Sequence, residues 1–309
     1  MTRHCAAAPF GRERLLMAGA AALRFAAAAS YPKIVRLSPV GKQRPAGRKS
    51  PGGTDLGRVI AITNQKGGVG KTTTAVNLAA SLGDRGRRVL LVDTDPQGNS
   101  TSGLGVNKKG LEHSTYHMLV AGERADAAKI STRFRNVDLL PAGIDLAAAE
   151  IELVDLPERV FRLRAGLLPV KEQYDYILID CPPSLGLITL NALAVSDSLL
   201  IPIQCEYYAL EGLSQLMATV RQVKRLYNPR IDVEGVLLTM FDGRLNLTNQ
   251  VVDEVKKFFP KKVFATVIPR NVRLSEAPGF GMPVLYYDRA SRGAACYLEL
   301  ADELMKNRR

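Results

Sequence analysis

The chain has 309 residues, 46% of them hydrophobic, with a mean hydropathy of −0.02 and a formal charge of +12. That length and apolar share are ample for a buried core and mark a globular protein. The cysteines Cys5, Cys181, Cys205 and Cys296 are scattered and form no C-x-x-C pair. This argues against a disulfide framework, a zinc site or an iron–sulfur cluster, and fits a reducing, cytosolic setting.

Residues 1–57 hold about ten Lys and Arg against two acidic residues, so they carry about +8 of the charge and leave about +4 for the rest. The run "LLMAGAAALRFAAAAS" resembles the apolar part of a signal or transit peptide, although Arg24 interrupts it. The stretch Tyr31–Gly57 is rich in Pro, Gly, Lys and Arg and lacks periodicity, so it reads as a disordered linker. Three roles stand open for this extension: a dispensable tail preceding the true translation start, a basic tether to DNA or membrane, and a targeting peptide. The domain proper is expected over residues 58–309. No stretch of about 18 uninterrupted apolar residues occurs elsewhere, so no membrane span is expected.

From Val59 onward short apolar runs alternate with helical patterns. "RVIAIT", "RRVLLVD", "NVDLLPA", "YDYILIDCP", "DSLLIPIQ", "DVEGVLLTM", "KVFATVIP" and "MPVLYY" are too apolar to have one wet face, as expected of strands covered on both sides. Helices are expected in "KTTTAVNLAASLGDRG", "YALEGLSQLMATVRQVKRLYN" and "TNQVVDEVKKFF". The fold class is therefore α/β, a doubly wound and mostly parallel sheet flanked by helices.

The turn from the first strand into the first helix reads "NQKGGVGKTT". Glycines 67, 68 and 70 let successive backbone N–H groups point inward as an anion nest, with torsions that other residues resist. The helix beginning near Lys71 adds its positive dipole end. In a phosphate loop Lys71 supplies charge to the β- and γ-phosphates and the Thr72 hydroxyl ligates Mg²⁺. The pattern G-x-x-x-x-G-K-[ST] requires a glycine where Gln65 stands, so the usual motif is altered and a second lysine, Lys66, precedes the glycines. Asp180 ends "YILID" and reads as the acid that holds Mg²⁺ through water, against a purely structural buried carboxylate. Asp93 and Asp95 end the second strand, where carboxylates meet ligands in open α/β sheets.

"KGGVGKTT" resembles the deviant Walker A motif of P-loop NTPases. Together with "VLLVDTDPQGNSTSGLG", "YDYILIDCPPSLGLITLNAL", "PIQCEYYALEGLSQL", "EGVLLTMFDGRLNL" and "VIPRNVRLSEAPGFGMPVLYYDRASRGA", it is similar to the ParA/Soj partitioning ATPases over about residues 58–305. The resemblance implies an ATP-dependent, dimerising ATPase of chromosome or plasmid segregation that uses ATP and Mg²⁺. Its ATP-bound homodimer would bind DNA without sequence preference and be reset by a ParB-like, centromere-binding partner. A cytoplasmic, nucleoid-associated location follows, with no stable membrane insertion.

By the same resemblance Lys66 is the signature lysine that reaches the nucleotide of a facing subunit. Gly67, Gly68, Val69, Gly70, Lys71, Thr72 and Thr73 form the phosphate cradle. Asp95 orients or activates the attacking water, with a turn-capping role before Pro96 as the alternative, and Asp93 belongs to the outer shell of the metal. Pro269 and Asn271 flank the adenine, whose edge matches the donor and acceptor of an Asn amide; a simple loop cap is the alternative for Asn271. Arg244 and Arg273 correspond to loop arginines that bind DNA, and Arg270 joins them; solvated surface arginines are the alternative.

Other features carry less. The spacing of His113 and His117 allows i, i+4 ligation, but "LEHSTYHML" lacks the acidic partner of a zinc helix. The Tyr207–Tyr208 pair suits a core or dimer surface better than a stacking platform. A MinD-like regulator would end in an amphipathic membrane helix, and acids interrupt the apolar face of "YLELADELMKNRR". An iron–sulfur scaffold lacks its paired cysteines. An ATP-dependent small-molecule ligase, such as a dethiobiotin synthetase relative, lacks a visible substrate signature.

Overall fold

A computed structural model describes residues 57–206 and 209–307, with the side chains of residues 209–211 outside the description. The expected extension, up to residue 56, and the Tyr207–Tyr208 pair lie outside the described residues.

The strands are β1 (Arg58–Ile62), β2 (Val89–Asp93), β3 (Ile130–Ser131), β4 (Val137–Leu140), β5 (Tyr176–Asp180), β6 (Ser198–Gln204), β7 (Asp232–Phe241) and β8 (Ile268–Pro269). They form one sheet in the order β3-β4-β2-β5-β1-β6-β7-β8, parallel throughout except for β3 against β4. β1 therefore lies centrally between β5 and β6, and the chain leaves it in one direction toward β2 and later in the other toward β6. That reversal opens a crevice beyond the strand carboxyl ends, where open α/β sheets bind ligands.

Alternation along each central strand feeds two cores. Val59 and Ala61, Leu90 and Val92, and Ile177 and Ile179 face one layer, which holds the helices Leu187–Val195, Ala209–Leu226 and Asn246–Phe258. Ile60 and Ile62, Leu91, and Leu178 face the other, where helix α1 (Lys71–Asp84) packs against the helix Arg292–Lys306 through Leu78, Leu82, Leu300 and Leu304. With both faces covered, the strands have no polar side, and this explains their unbroken apolar runs.

Two expected strands differ. In "MPVLYY" the residues Val284–Tyr287 form a short helix. Pro283, extended just before it, has no N–H to give a ladder, and the Val284 amide donates to Asn77 Oδ1 on α1 at 2.7 Å. "KVFATVIP" pairs only at Val263 and along Ile268–Pro269. Between them Glu303 takes the donors, accepting from Ala265 N at 2.7 Å and Thr266 N at 2.9 Å.

Candidate nucleotide site

The loop from Asn64 to Gly70 emerges from the carboxyl end of β1 and turns into α1. Gly68 and Gly70 have φ of 74° and 86°, the left-handed region where a side chain is strained, and Gly70 caps α1 with no side-chain acceptor. The orphan amides at the start of α1 are thus left for a ligand. Gly67 differs in that its φ is not positive, and a Cβ built there, as at Gly68, meets nothing within 4 Å among the described residues. Thr239 of β7 donates to the Val69 carbonyl at 2.8 Å and pins the loop from the side.

Lys71 is 7% exposed, and its ammonium donates to the Lys66 carbonyl at 3.1 Å. Burial lowers its pKa, opposed by the nearby charges of Asp180 and Asp95. Lys66 points its own ammonium at Glu206, 2.6 Å from Oε2, while its amide donates to Asn64 Oδ1 at 3.0 Å.

Three carboxylates converge opposite. Asp93 and Asp180 are register partners at the ends of β2 and β5 and are fully buried. Asp93 is filled: Oδ2 accepts from Thr101 N at 2.8 Å and Thr101 Oγ1 at 2.7 Å, and Oδ1 accepts from Asp95 N at 3.2 Å. Asp180 Oδ2 accepts from Ser100 Oγ at 2.8 Å, and the Thr72 hydroxyl helps hold its pKa down, but its Oδ1 has no hydrogen-bond partner among the described residues. Burial pushes both pKa values up, and for Asp93 the charge on Asp180 adds to the rise. An orphaned, buried carboxylate oxygen beside a threonine hydroxyl and the phosphate loop fits a hard divalent cation that takes oxygen ligands. Asp95 is 9% exposed and caps its turn by accepting from Gln97 N at 2.9 Å, while its charge reaches both Lys71 and Asp180. The turn role and the position at the site therefore coexist.

An open cavity of about 500 Å³ continues from the loop, bordered by Gly70, Thr73, Pro269, Arg270 and Asn271. Asn271 is also a loop cap, since its side chain accepts from Arg273 N at 3.0 Å and leaves its NH₂ uncommitted there. Tyr297 lines the far wall from helix Arg292–Lys306, its hydroxyl 3.2 Å from Thr74 Oγ1. Tyr297, Ser100, Thr101, Thr239 and Glu206 belong to this region although no sequence motif marks them.

Each arginine assigned to DNA already has an acidic neighbour. Arg244 forks onto Asp242 at 2.8 and 2.6 Å, which depresses the Asp242 pKa to about 2. Arg273 meets Glu276 at 2.8 Å and Asp288 at 3.2 Å. Arg270 lines the cavity and acts electrostatically on both Glu206 and Asp242. Away from the site, His113 pairs with Glu123 at 3.0 Å and His117 lies 3.1 Å from Ser114 Oγ, so the two histidines look to different partners.

A glycine-rich loop at a helix start, a lysine above it and a buried acid on the neighbouring strand define a P-loop ATPase of the deviant Walker A type. The chain matches the AAA domain family over residues 57–233. It is 60% identical over 254 residues to the sporulation initiation inhibitor protein Soj of Bacillus subtilis, covering 82% of this chain and 100% of that one. It is 55% identical over 260 residues to the chromosome partitioning protein ParA of Myxococcus xanthus, covering 84% and 92%. Among solved structures it is similar to cobyrinic acid a,c-diamide synthase from Mycobacterium smegmatis with bound ADP and magnesium. That likeness has a TM-score of 0.71 at 37% identity and covers 81% of this chain and 95% of that one. The chain belongs to the Soj/ParA family of chromosome-partitioning ATPases.

Proposed function

We propose that this protein is a nucleotide-driven DNA-partition switch: it binds ATP with Mg²⁺ at the β1–α1 loop, pairs with a second copy, holds DNA, and resets on hydrolysis. The observation that carries this reading is the junction of Lys71, Thr72, the orphaned Asp180 oxygen and the Pro269–Asn271 cavity along one crevice.

The residues divide the work. Loop amides and the Lys71 ammonium bind the phosphates, and Asn271 and Pro269 bound the space for the base. Thr72 and Asp180 hold Mg²⁺, with Asp93 behind Asp180; the ion supplies charge neutralisation at the phosphates. Asp95 orients water toward the γ-phosphorus. As the water oxygen bonds to phosphorus, the bond to the β-phosphate oxygen breaks, giving ADP and phosphate. Lys66 neutralises the developing charge on the partner's nucleotide, in the manner of an arginine finger. Arg244 and Arg273, with Arg270, meet DNA phosphates, and a ParB-like partner stimulates turnover.

The apolar side of helix Arg292–Lys306 supports partition over a membrane-anchored regulator. Ala294, Tyr297, Leu300, Ala301 and Leu304 are spent on the core beside α1 and are not available to a bilayer. No helix among the described residues is long and apolar enough to cross a membrane.

Sedimentation with and without Mg²⁺·ATP tests the reading. Wild-type protein should dimerise only with ATP, and Lys66→Ala should stay monomeric while still binding it. A wild type that remains monomeric with ATP bound would overturn the proposal.

A further inference from the structure

Glu206 has no part in the roles assigned above, yet it holds Lys66, which does. Glu206 follows β6; its Oε2 accepts from Lys66 Nζ at 2.6 Å and its Oε1 from the Gln204 side chain. The backbone of Lys66 is tied to the same region. Its amide donates to Asn64 Oδ1 at 3.0 Å, and Asn64 in turn donates to the Pro202 carbonyl of β6 at 2.8 Å. Its carbonyl accepts from Lys71 Nζ at 3.1 Å. Both ends of Lys66 are thus held against its own subunit.

We infer that Glu206 is a positioning residue that keeps the Lys66 ammonium within its own subunit, so that Lys66 reaches a partner's nucleotide only after this pair opens. The inference rests on the cross-subunit role proposed for Lys66.

Three features make the pair a latch. The two side chains are 30% and 47% exposed, so the bond is weak enough to break; a pair of this kind shifts an equilibrium by about 1.5- to 5-fold. Opening does not strand Glu206, because Gln204 stays bonded and the Arg270 charge also bears on the carboxylate. Lys71 holds the Lys66 carbonyl with the same ammonium that phosphates would claim. Filling the phosphate loop therefore releases the Lys66 carbonyl, while the Glu206 pair still holds the ammonium and the Asn64 side chain the amide.

The test compares wild type, Glu206→Gln and Glu206→Asp, each with Lys66 or Lys66→Ala. Dimerisation is measured by sedimentation with Mg²⁺ and a slowly hydrolysed ATP analogue. Glu206→Gln should tighten dimerisation about 1.5- to 5-fold, less so as salt rises, and Glu206→Asp should resemble wild type. The tightening should vanish with Lys66→Ala.

A second measurement needs no dimer. In nucleotide-free protein, acylation of Lys66 followed by mass spectrometry should quicken by a similar factor in Glu206→Gln. In the wild type it should rise with salt relative to the exposed Lys109, which also serves if a variant fails to fold. Unchanged dimerisation and labelling in Glu206→Gln, looser dimerisation, or the same tightening with Lys66→Ala would overturn the latch. If no variant dimerises, the partition reading fails, while the labelling still reports the pair.

Discussion

Asp93 and Asp180 stand opposite each other in register at the ends of the neighbouring strands β2 and β5, both fully buried. Thr101 satisfies one, and Ser100 satisfies half of the other. Burial raises both pKa values. In the unfolded chain an aspartate loses its proton near pH 3.9, whereas this pair holds on longer. Between those points the folded state binds more protons, so stability falls as pH rises.

The melting temperature of nucleotide-free, metal-free protein should therefore decline as pH rises from about 5 through neutrality. Asp93→Asn should flatten that slope, and Mg²⁺·ADP should reduce it by stabilising the ionised Asp180. Thermal scans at several pH values check this. An unchanged slope in Asp93→Asn would mean that Asp93 does not hold its proton longer in the folded state.

Lys71→Ala and Asp95→Ala should fail differently. Loss of Lys71 removes the buried charge facing the phosphates and should abolish ATP binding in calorimetry. Asp95→Ala should bind ATP and dimerise but lose turnover by about a hundredfold or more. Wild-type hydrolysis in Asp95→Ala, with DNA and partner present, would mean another group handles the water.

Leu300→Ala probes the helix Arg292–Lys306. Leu300 is fully buried beside α1, so truncating it should cost about 2–5 kcal/mol in urea unfolding. A cost under about 0.5 kcal/mol, the size typical of a surface position, would show that the helix is not core.

The sequence exposes the centre of this fold more fully than its rim. β1, β2 and β5 are buried on both faces, and their short apolar runs between turn signals match that placement. "MPVLYY" is as apolar, yet its fate turns on Pro283 and on Asn77, more than 200 residues away along the chain, accepting the Val284 amide. "KVFATVIP" loses its ladder to Glu303, another partner from a distant segment. The site divides in the same way. Gly68, Gly70, Lys71 and Asp180 follow from local motif chemistry. Ser100 and Thr101 sit just past the "DPQG" turn as an unremarkable pair, and only the turn's return to β5 and β2 gives them their carboxylates. Tyr297 is separated by over 200 residues from Thr74, and Glu206 by 140 from Lys66, so no spacing rule reveals either contact.

The acidic partners of the loop arginines predict an effect of opposite sign to removing the arginines. The Asp242 carboxylate occupies the Arg244 fork that the proposed switch would offer to a DNA phosphate. Asp242→Asn should strengthen DNA binding severalfold and Arg244→Ala should weaken it, both without changing ATP-dependent dimerisation. Fluorescence anisotropy with a labelled duplex measures this. Equal affinity in the two variants would mean that Arg244 does not touch DNA.

In the proposed switch, ATP makes this protein a DNA binder by doubling a sparse basic patch. This is tested most directly by titrating DNA at several salt concentrations with ATP, ADP or no nucleotide. The protein used should begin near Leu56, so that the basic extension does not contribute, and should retain the Gly57 amide bond to the Tyr174 carbonyl. Tight binding only with ATP, steeply weakened by salt and lost in Lys66→Ala and Arg273→Ala, is the result expected. Equal affinity in all three nucleotide states would contradict the switch.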